Sequence, residues 1–415
     1  MTQSAFTSLF LAAVFLSFGL RLWLAFRQNR HVAAHRAAVP AAFADKISLE
    51  AHQKAADYTR ARLRLGTIEL VFDTAVLLVL TLGGGLQWLH DFAARWLTAG
   101  SVLHGMAFLA ALTIVTSVLG LPFSLYRTFV IEARFGFNKT SLAVFISDLI
   151  KGALLGAVIG LPVLAVVLWM MQATGANWWA WVWAFWLGFN LLVMVLYPIV
   201  IAPLFNKFSP LADGALKTRI EALLVRCGFK SSGLFVMDGS KRSAHGNAYF
   251  TGLGAAKRIV FFDTLIEKLE PEEVEAVLAH ELGHYKKKHI VQRVALMAVA
   301  SLAFLALLGW LVGTDWFYAG LGMNTHGNAA ALALFLYALP VFTFPLTPLS
   351  SLWSRKHEFE ADAYAAAHAD ARDLVSALVK LYRDNAGTLT PDPLYSAFYD
   401  SHPPAPIRVA RLSVA

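Results

Sequence analysis

Apolar residues along this chain are gathered into runs long enough to cross a bilayer. A spanning helix needs about 20 mostly apolar residues. Seven stretches meet that demand: roughly 5–26, 69–89, 102–126, 150–172, 179–203, 291–313 and 329–349. The first carries Arg21 near its end and no clear cleavage pattern, so it reads as an anchor rather than a removed signal. Gly83-Gly84-Gly85 weakens the second as a straight helix. Pro340, Pro345 and Pro348 predict a kink in the seventh. Trp178, Trp179, Trp181, Trp183 and Trp186 open the fifth and suit an interfacial belt.

The basic residues test this map. Lys and Arg crowd the polar segments between runs one and two, three and four, and five and six, and the stretch after run seven. Arg95 stands alone between two and three, and none lies between four and five or six and seven. Adding or dropping one run would scramble the alternation. The positive-inside rule then puts the basic segments in the cytoplasm and the N-terminus outside. The chain divides into 1–205 (runs one to five), 206–290 (polar), 291–349 (runs six and seven) and 350–415 (polar). The expected fold is mainly α, a polytopic membrane protein with a small α+β part.

Within 206–290 the pattern predicts a helix over Leu216 to Val225 and short strands at Leu234 to Met237, Ala248 to Thr251 and Arg258 to Phe262. A polar turn, Asp238 to Gly246, separates the first two strands. A further helix opens at Pro271, with Glu272 and Glu273 in its first turn, and closes at Lys286 to Lys288. Proline first, acids early and bases late all complement a helix dipole. Residues 27–68 are polar and helix-compatible.

Composition narrows the class. Of 415 residues, 58% are hydrophobic and 15% charged, against about 25% charged in ordinary soluble domains. Disorder, collagen, coiled coil and a plain soluble enzyme are excluded. The single cysteine, Cys227, excludes an intramolecular disulfide and a multi-cysteine metal cluster and reads as a small core residue. A net charge of +8 follows from the cytoplasmic loops and their contact with anionic lipid. It gives no support to a nucleic-acid partner.

The chemistry is concentrated in His280-Glu281-Leu282-Gly283-His284. Two histidines four apart stand on one helix face, so both imidazoles can reach one ion. Glu281 projects beside them, placed to take a proton from water. With 13 His in the chain, such a match arises by accident roughly once in a hundred sequences. A catalytic zinc needs a third protein ligand and one open position. His357, Glu358, Glu360 and Asp362 offer candidates. Glu358 and Asp362 share a face, so one could bind metal while the other holds a ligand histidine. Glu360 points to nearly the opposite side, and His357 needs a different helix rotation. His289 reads as solvated after three lysines. Glu69 and Asp73 read as acids at a helix start, with a chamber-lining role as the alternative.

Several ordered segments resemble one family, the CAAX prenyl proteases of the zinc metalloprotease class. They are Arg127 to Glu132, Arg134 to Lys139, Ile201 to Phe208, Met237 to Ser243, Asn247 to Phe250, the His280 helix, Ser354-Arg355 with Glu358 and Ala361-Asp362, and Ser401 to Pro404. The resemblance runs over most of the chain. It implies seven transmembrane helices enclosing a large chamber, capped on the cytoplasmic side by a zincin-like metalloprotease domain. It assigns one zinc to His280, His284 and Glu358, the base to Glu281, and a supporting place to Asp362. It implies that Asn247, Ala248, Tyr249 and Phe250 form a strand edge on which the substrate peptide lies. His402 would stabilise the transition state, and Arg408 would contact substrate.

The expected function, as the resemblance implies, is an integral-membrane zinc metalloendopeptidase cleaving C-terminal CAAX-type prenylated proteins or peptides, with a prenylated or membrane-associated substrate as its partner. A quality-control protease of the HtpX type, acting on misfolded membrane proteins, is one alternative. A transporter or scaffold with an incidental metal site is another, although it predicts internal repeats that the sequence lacks. The absence of a C-terminal retrieval signal favours a bacterial inner membrane over the endoplasmic reticulum.

Overall fold

The computed structural model describes residues 1–251 and 258–414. Six of the seven apolar runs fall on helical stretches long and apolar enough to cross a membrane, and the second falls on a bent pair. The first four elements are α1 (Gln3–Ala34), α2 (Leu49–Leu80), α3 (Gly85–Ala94) and α4 (Val102–Glu132); α5 (Leu142–Ala173) and α6 (Gly175–Phe205) complete the N-terminal membrane region. The second run is a broken span, with α2 and α3 bent by 53°. The triple glycine explains the break. Gly84 adopts φ +77, and a side chain on Gly83 would stand 2.7 Å from the Val79 carbonyl oxygen. Trp178 is buried in the membrane core, whereas Trp181 and Trp186 are exposed on α6.

The polar unit follows as β1 (Phe208–Pro210), α7 (Ala215–Arg226), β2 (Leu234–Met237), β3 (Ala248–Thr251), β4 (Arg258–Phe262) and α8 (Pro271–Lys286). The strands form one sheet in the order β1-β2-β4-β3. The β2–β4 pair is parallel, and β1–β2 and β3–β4 are antiparallel. Strand β1 went unpredicted because it spans three residues and ends in proline. Strand β3 pairs only with β4 among the described residues, so it is an edge. Ile259, Phe261, Ile220, Leu223, Val274, Leu278 and Leu282 fill the core between sheet and helices, and Cys227 lies among them.

The chain then re-enters the membrane as α9 (His289–Leu311) and α10 (Asn328–Thr343). The prolines of the seventh run do not end the helical path. They tighten it into one 3-10 turn, Phe344–Leu346, and the helix continues as α11 (Thr347–His368), so that 328–368 forms one long helical stretch. Helices α12 (Ala371–Asp384), α13 (Pro393–Tyr399) and α14 (Ala405–Leu412) close the polar unit.

A cavity of about 1320 Å³ lies between α1, α2, α4, α10 and the polar unit. Arg21, Arg62, Arg127, Glu69 and Asp73 line it with apolar residues, and His245 and Asp400 belong to its wall. For Glu69 and Asp73 this favours the chamber-lining alternative over the helix-start reading. Helix α2 begins twenty residues earlier than Glu69, at Leu49, so neither acid stands at a helix start. Both face the cavity, and Glu69 accepts from Arg127 at 2.6 and 2.7 Å.

Candidate metal centre and active site

Helix α8 is fixed at its start by a reciprocal cap. The Glu270 side chain accepts from the Glu273 backbone, and Glu273 Oε2 accepts from Glu270 N at 2.8 Å. Glu273 is also tied to α12 by Lys380 and Ser376, each at 2.7 Å. Such caps contribute on the order of 1 kcal/mol, and this one sets the rotation of the helix that carries His280 and His284. At the other end Lys288 adopts φ 57, a left-handed conformation without glycine. It turns the chain sharply from α8 into α9.

Helix α11 packs directly against α8. A Cβ on Gly283 would stand 2.9 Å from Ala361 Cα and 3.0 Å from its carbonyl oxygen. This close approach brings Glu358 under the two histidines. His280 Nε2 and His284 Nε2 lie 3.2 Å apart. Glu358 Oε1 is 3.3 Å from His284 Nε2, and Oε2 is 3.5 Å from His280 Nε2. One ligand atom from each of the three lies within 4.8 Å of the others.

The donor set fits a divalent metal. Two imidazole nitrogens and a carboxylate face each other with no room for a protein group between them. Glu358 is 2% exposed, and its Oε2 is buried without a hydrogen-bond partner. An orphaned buried carboxylate oxygen is costly, and a cation among these atoms would relieve it.

Asp362 stands one turn beyond Glu358. Its Oδ1 lies 2.8 Å from His280 Nδ1, the nitrogen that faces away from Glu358. Arg408 holds Asp362 from behind, with Nε to Oδ2 at 2.9 Å and Nη2 to Oδ1 at 2.5 Å. Burial pushes the His280 imidazole towards neutrality, but Asp362 and Glu358 outweigh it and raise its pKa to about 9. Arg408 is 5% exposed and bound chiefly to Asp362, with its Nη2 also 3.4 Å from His280 Nδ1 and its Nη1 3.9 Å from Glu358 Oε2. The structure thus sets it behind the His280–Glu358 pair, in contact with Asp362.

Glu281 is half-buried on the same turn as the histidines. Burial holds its carboxyl above the usual range, against the pull of His280 and His284. The His402 ring stands at the mouth of the site. Its Nε2 is 3.5 Å from Glu358 Oε2, and its Nδ1 is 3.0 Å from Ser401 Oγ. Asn247 leads into edge strand β3, which packs on α8; the Asn247 carbonyl accepts from Phe262 N at 2.9 Å. Ala248 pairs with Phe261, Tyr249 with Val260 and Phe250 with Ile259. His357 turns away to Gln292 Oε1 at 3.1 Å.

His289 corrects the expectation of a solvated residue. It is 1% exposed, and its Nδ1 lies 2.9 Å from His284 Nδ1. The left-handed turn at Lys288 folds it back beside the metal helix. No spacing rule flagged it, and its five-residue offset from His284 was the only sequence signal.

A donor set of this kind, assembled where a membrane span runs into a sheet-and-helix unit, marks an integral-membrane metalloendopeptidase. Two family descriptions match the chain: "CAAX prenyl protease N-terminal, five membrane helices" over residues 28–207 and "Peptidase family M48" over residues 210–415. The chain belongs to peptidase family M48, within its CAAX prenyl protease group.

Named relatives agree. CAAX prenyl protease 1 of Saccharomyces cerevisiae is 35% identical, over 95% of this chain and 92% of that protein. The CAAX prenyl protease 1 homolog of Arabidopsis thaliana is 41% identical, over 81% and 80%. The crystal structure of S. mikatae Ste24p superposes with TM-score 0.92 at 33% identity, covering 98% of both chains. The expected mainly helical membrane fold and metalloendopeptidase class are thus established, and nothing in these relationships supports the transporter or quality-control readings.

Proposed function

We propose that this protein hydrolyses a peptide bond near the C-terminus of prenylated CAAX-type proteins, with one zinc ion held by His280, His284 and Glu358. The observation that carries the proposal is the convergence of those three donors within 4.8 Å from two separate helices. Two histidines and one glutamate form the ligand set of a catalytic zinc, which leaves a position open. A zinc ion held there supplies Lewis acidity for water activation and carbonyl polarisation.

The chain's own residues supply the rest. Glu281 takes a proton from the attacking water and returns it to the leaving amine nitrogen. Its upward-shifted carboxyl suits that double role. His402 donates a hydrogen bond to the carbonyl oxygen as negative charge develops there. An extended peptide adds to edge strand β3 at Asn247 to Phe250 through main-chain hydrogen bonds. Asp362 fixes the tautomer and direction of His280, and Arg408 acts through Asp362. The prenyl chain lies in the intramembrane cavity, whose wall residues His245 and Asp400 are two positions from Asn247 and His402 in sequence.

The Lys and Arg distribution supports a cytoplasmic active site with the N-terminus outside. The host membrane proposed is the bacterial inner membrane, whose anionic lipid suits the basic loops. The test is cleavage of a farnesylated CAAX peptide by purified protein, with and without a chelator, beside zinc analysis. Parent protein with about one zinc per chain should cleave, and Glu281→Gln should keep its zinc and lose at least 100-fold in rate. Cleavage unaffected by chelation, or a Glu281→Gln variant as fast as the parent, overturns the assignment.

A further inference from the structure

The two metal-facing histidines are supported differently. Behind His280 stands a carboxylate in direct contact, Asp362. Behind His284 stands another histidine. The Nδ1 atoms of His284 and His289 are 2.9 Å apart, and His289 Nε2 is 2.9 Å from Glu360 Oε2. Glu360 reaches this place because it points away from Glu358 on α11, around the far side of the pair.

The hydrogen-bond directions follow from chemistry alone. Glu360 as a carboxylate only accepts, so His289 Nε2 carries the proton. A neutral His289 then presents a bare Nδ1, which accepts from His284 Nδ1. That leaves His284 Nε2 bare, and this is the nitrogen that faces His280 and Glu358. The His289 ring is fixed by stacking on His357, with centroids 3.9 Å apart and planes 5° from parallel. His357 is held in turn by Gln292.

We propose that His289 and Glu360 are positioning residues for this enzyme, a carboxylate–imidazole relay that fixes the tautomer and aim of His284 towards the metal. The inference rests on the proposed metal site and deepens it. Groups that orient a ligand histidine from behind change metal affinity by about 10- to 100-fold when removed. The relay gives His284 through two bonds what Asp362 gives His280 through one. Glu360 is partly exposed and has Lys356 Nζ at 3.8 Å, so it can be altered without opening the core.

The experiment measures cobalt(II) binding to the full-length protein in lipid nanodiscs, by visible absorption and by competition with a chelator. His289→Phe keeps the stack on His357 and loses both hydrogen bonds. Glu360→Ala removes the outer carboxylate, and Glu360→Gln restores an acceptor for His289. The expected result is a 10- to 100-fold weaker affinity for His289→Phe, a smaller loss for Glu360→Ala, and recovery in Glu360→Gln. With metal saturating, KM for the peptide should be unchanged while kcat falls. Parent-like cobalt affinity in either His289→Phe or Glu360→Ala overturns the relay. His280→Ala separates the two ideas. If the parent binds no cobalt that depends on His280, the metal site itself is wrong; if it does and the relay variants match the parent, only the relay fails.

Discussion

Gly283 of the metal helix lies against Ala361 of the helix that carries Glu358, with no space between them for a methyl group. The nearest atoms to a Cβ at Gly283 are backbone atoms of Ala361 at 2.9 and 3.0 Å and Tyr364 Cβ at 3.0 Å. Gly283→Ala must therefore force α8 and α11 apart, because no flexible side-chain end can yield. The expected cost is about 1–3 kcal/mol of stability from overpacking. Metal affinity should fall more steeply than stability, because Glu358 moves away from both histidines at once. Thermal unfolding and metal titration of the same preparation check this; a variant with parent affinity would show that the helices do not set the ligand spacing.

Asp362→Asn should weaken metal binding about 10- to 100-fold. The amide keeps a hydrogen-bonding shape but presents no negative charge to His280. It also leaves the buried Arg408 without its carboxylate partner, so stability should drop as well. Arg408→Lys separates the two contributions. A lysine cannot reproduce the two-pronged contact, so affinity should fall by less than in Asp362→Asn. Chelator competition reads both variants.

Metal uptake should release protons at neutral pH. With its pKa raised to about 9, His280 is expected to carry a proton in metal-free protein at neutral pH. A cation must displace it. Affinity should rise about tenfold per pH unit for that proton between pH 7 and 9, then level off above 9. Calorimetry in buffers of different ionisation enthalpy counts the protons. No release at pH 7 would mean that His280 is already neutral and that the carboxylates around it do not act as described.

Lys288→Gly should stabilise the protein by about 0.5–1 kcal/mol, since glycine adopts the left-handed turn without strain. Lys288→Val should destabilise it and loosen metal binding, because it disturbs the entry of His289. Unfolding midpoints in the same lipid show both directions of change.

Most elements were legible in the sequence because their signals are local. The boundaries of β2, β3, β4 and α8 follow from turn residues, alternation and helix-end chemistry, and the spans from runs of apolar residues. The H-E-x-x-H spacing and the four-residue offset of Glu358 and Asp362 likewise marked one face of each helix. What stayed hidden depends on where distant segments meet. Arg408 lies 46 residues from Asp362 and 128 from His280, and nothing near it in sequence announces that contact. His289 was misread because three lysines precede it, while the turn that buries it depends on one backbone dihedral. For Glu69 and Asp73 the chamber-lining alternative holds over the helix-start reading, because polar residues before them hid the true start of α2.

The helical stretch from Asn328 to His368 puts Glu358 on the same rod as an apolar segment long enough to cross a bilayer. His280 and His284 stand on a separate helix, Pro271–Lys286, that is not among the candidate spans. A change in the tilt of that rod, imposed by a thinner membrane or a short-chain detergent, moves one donor relative to the other two. Metal affinity is therefore expected to vary with the thickness of the surrounding lipid.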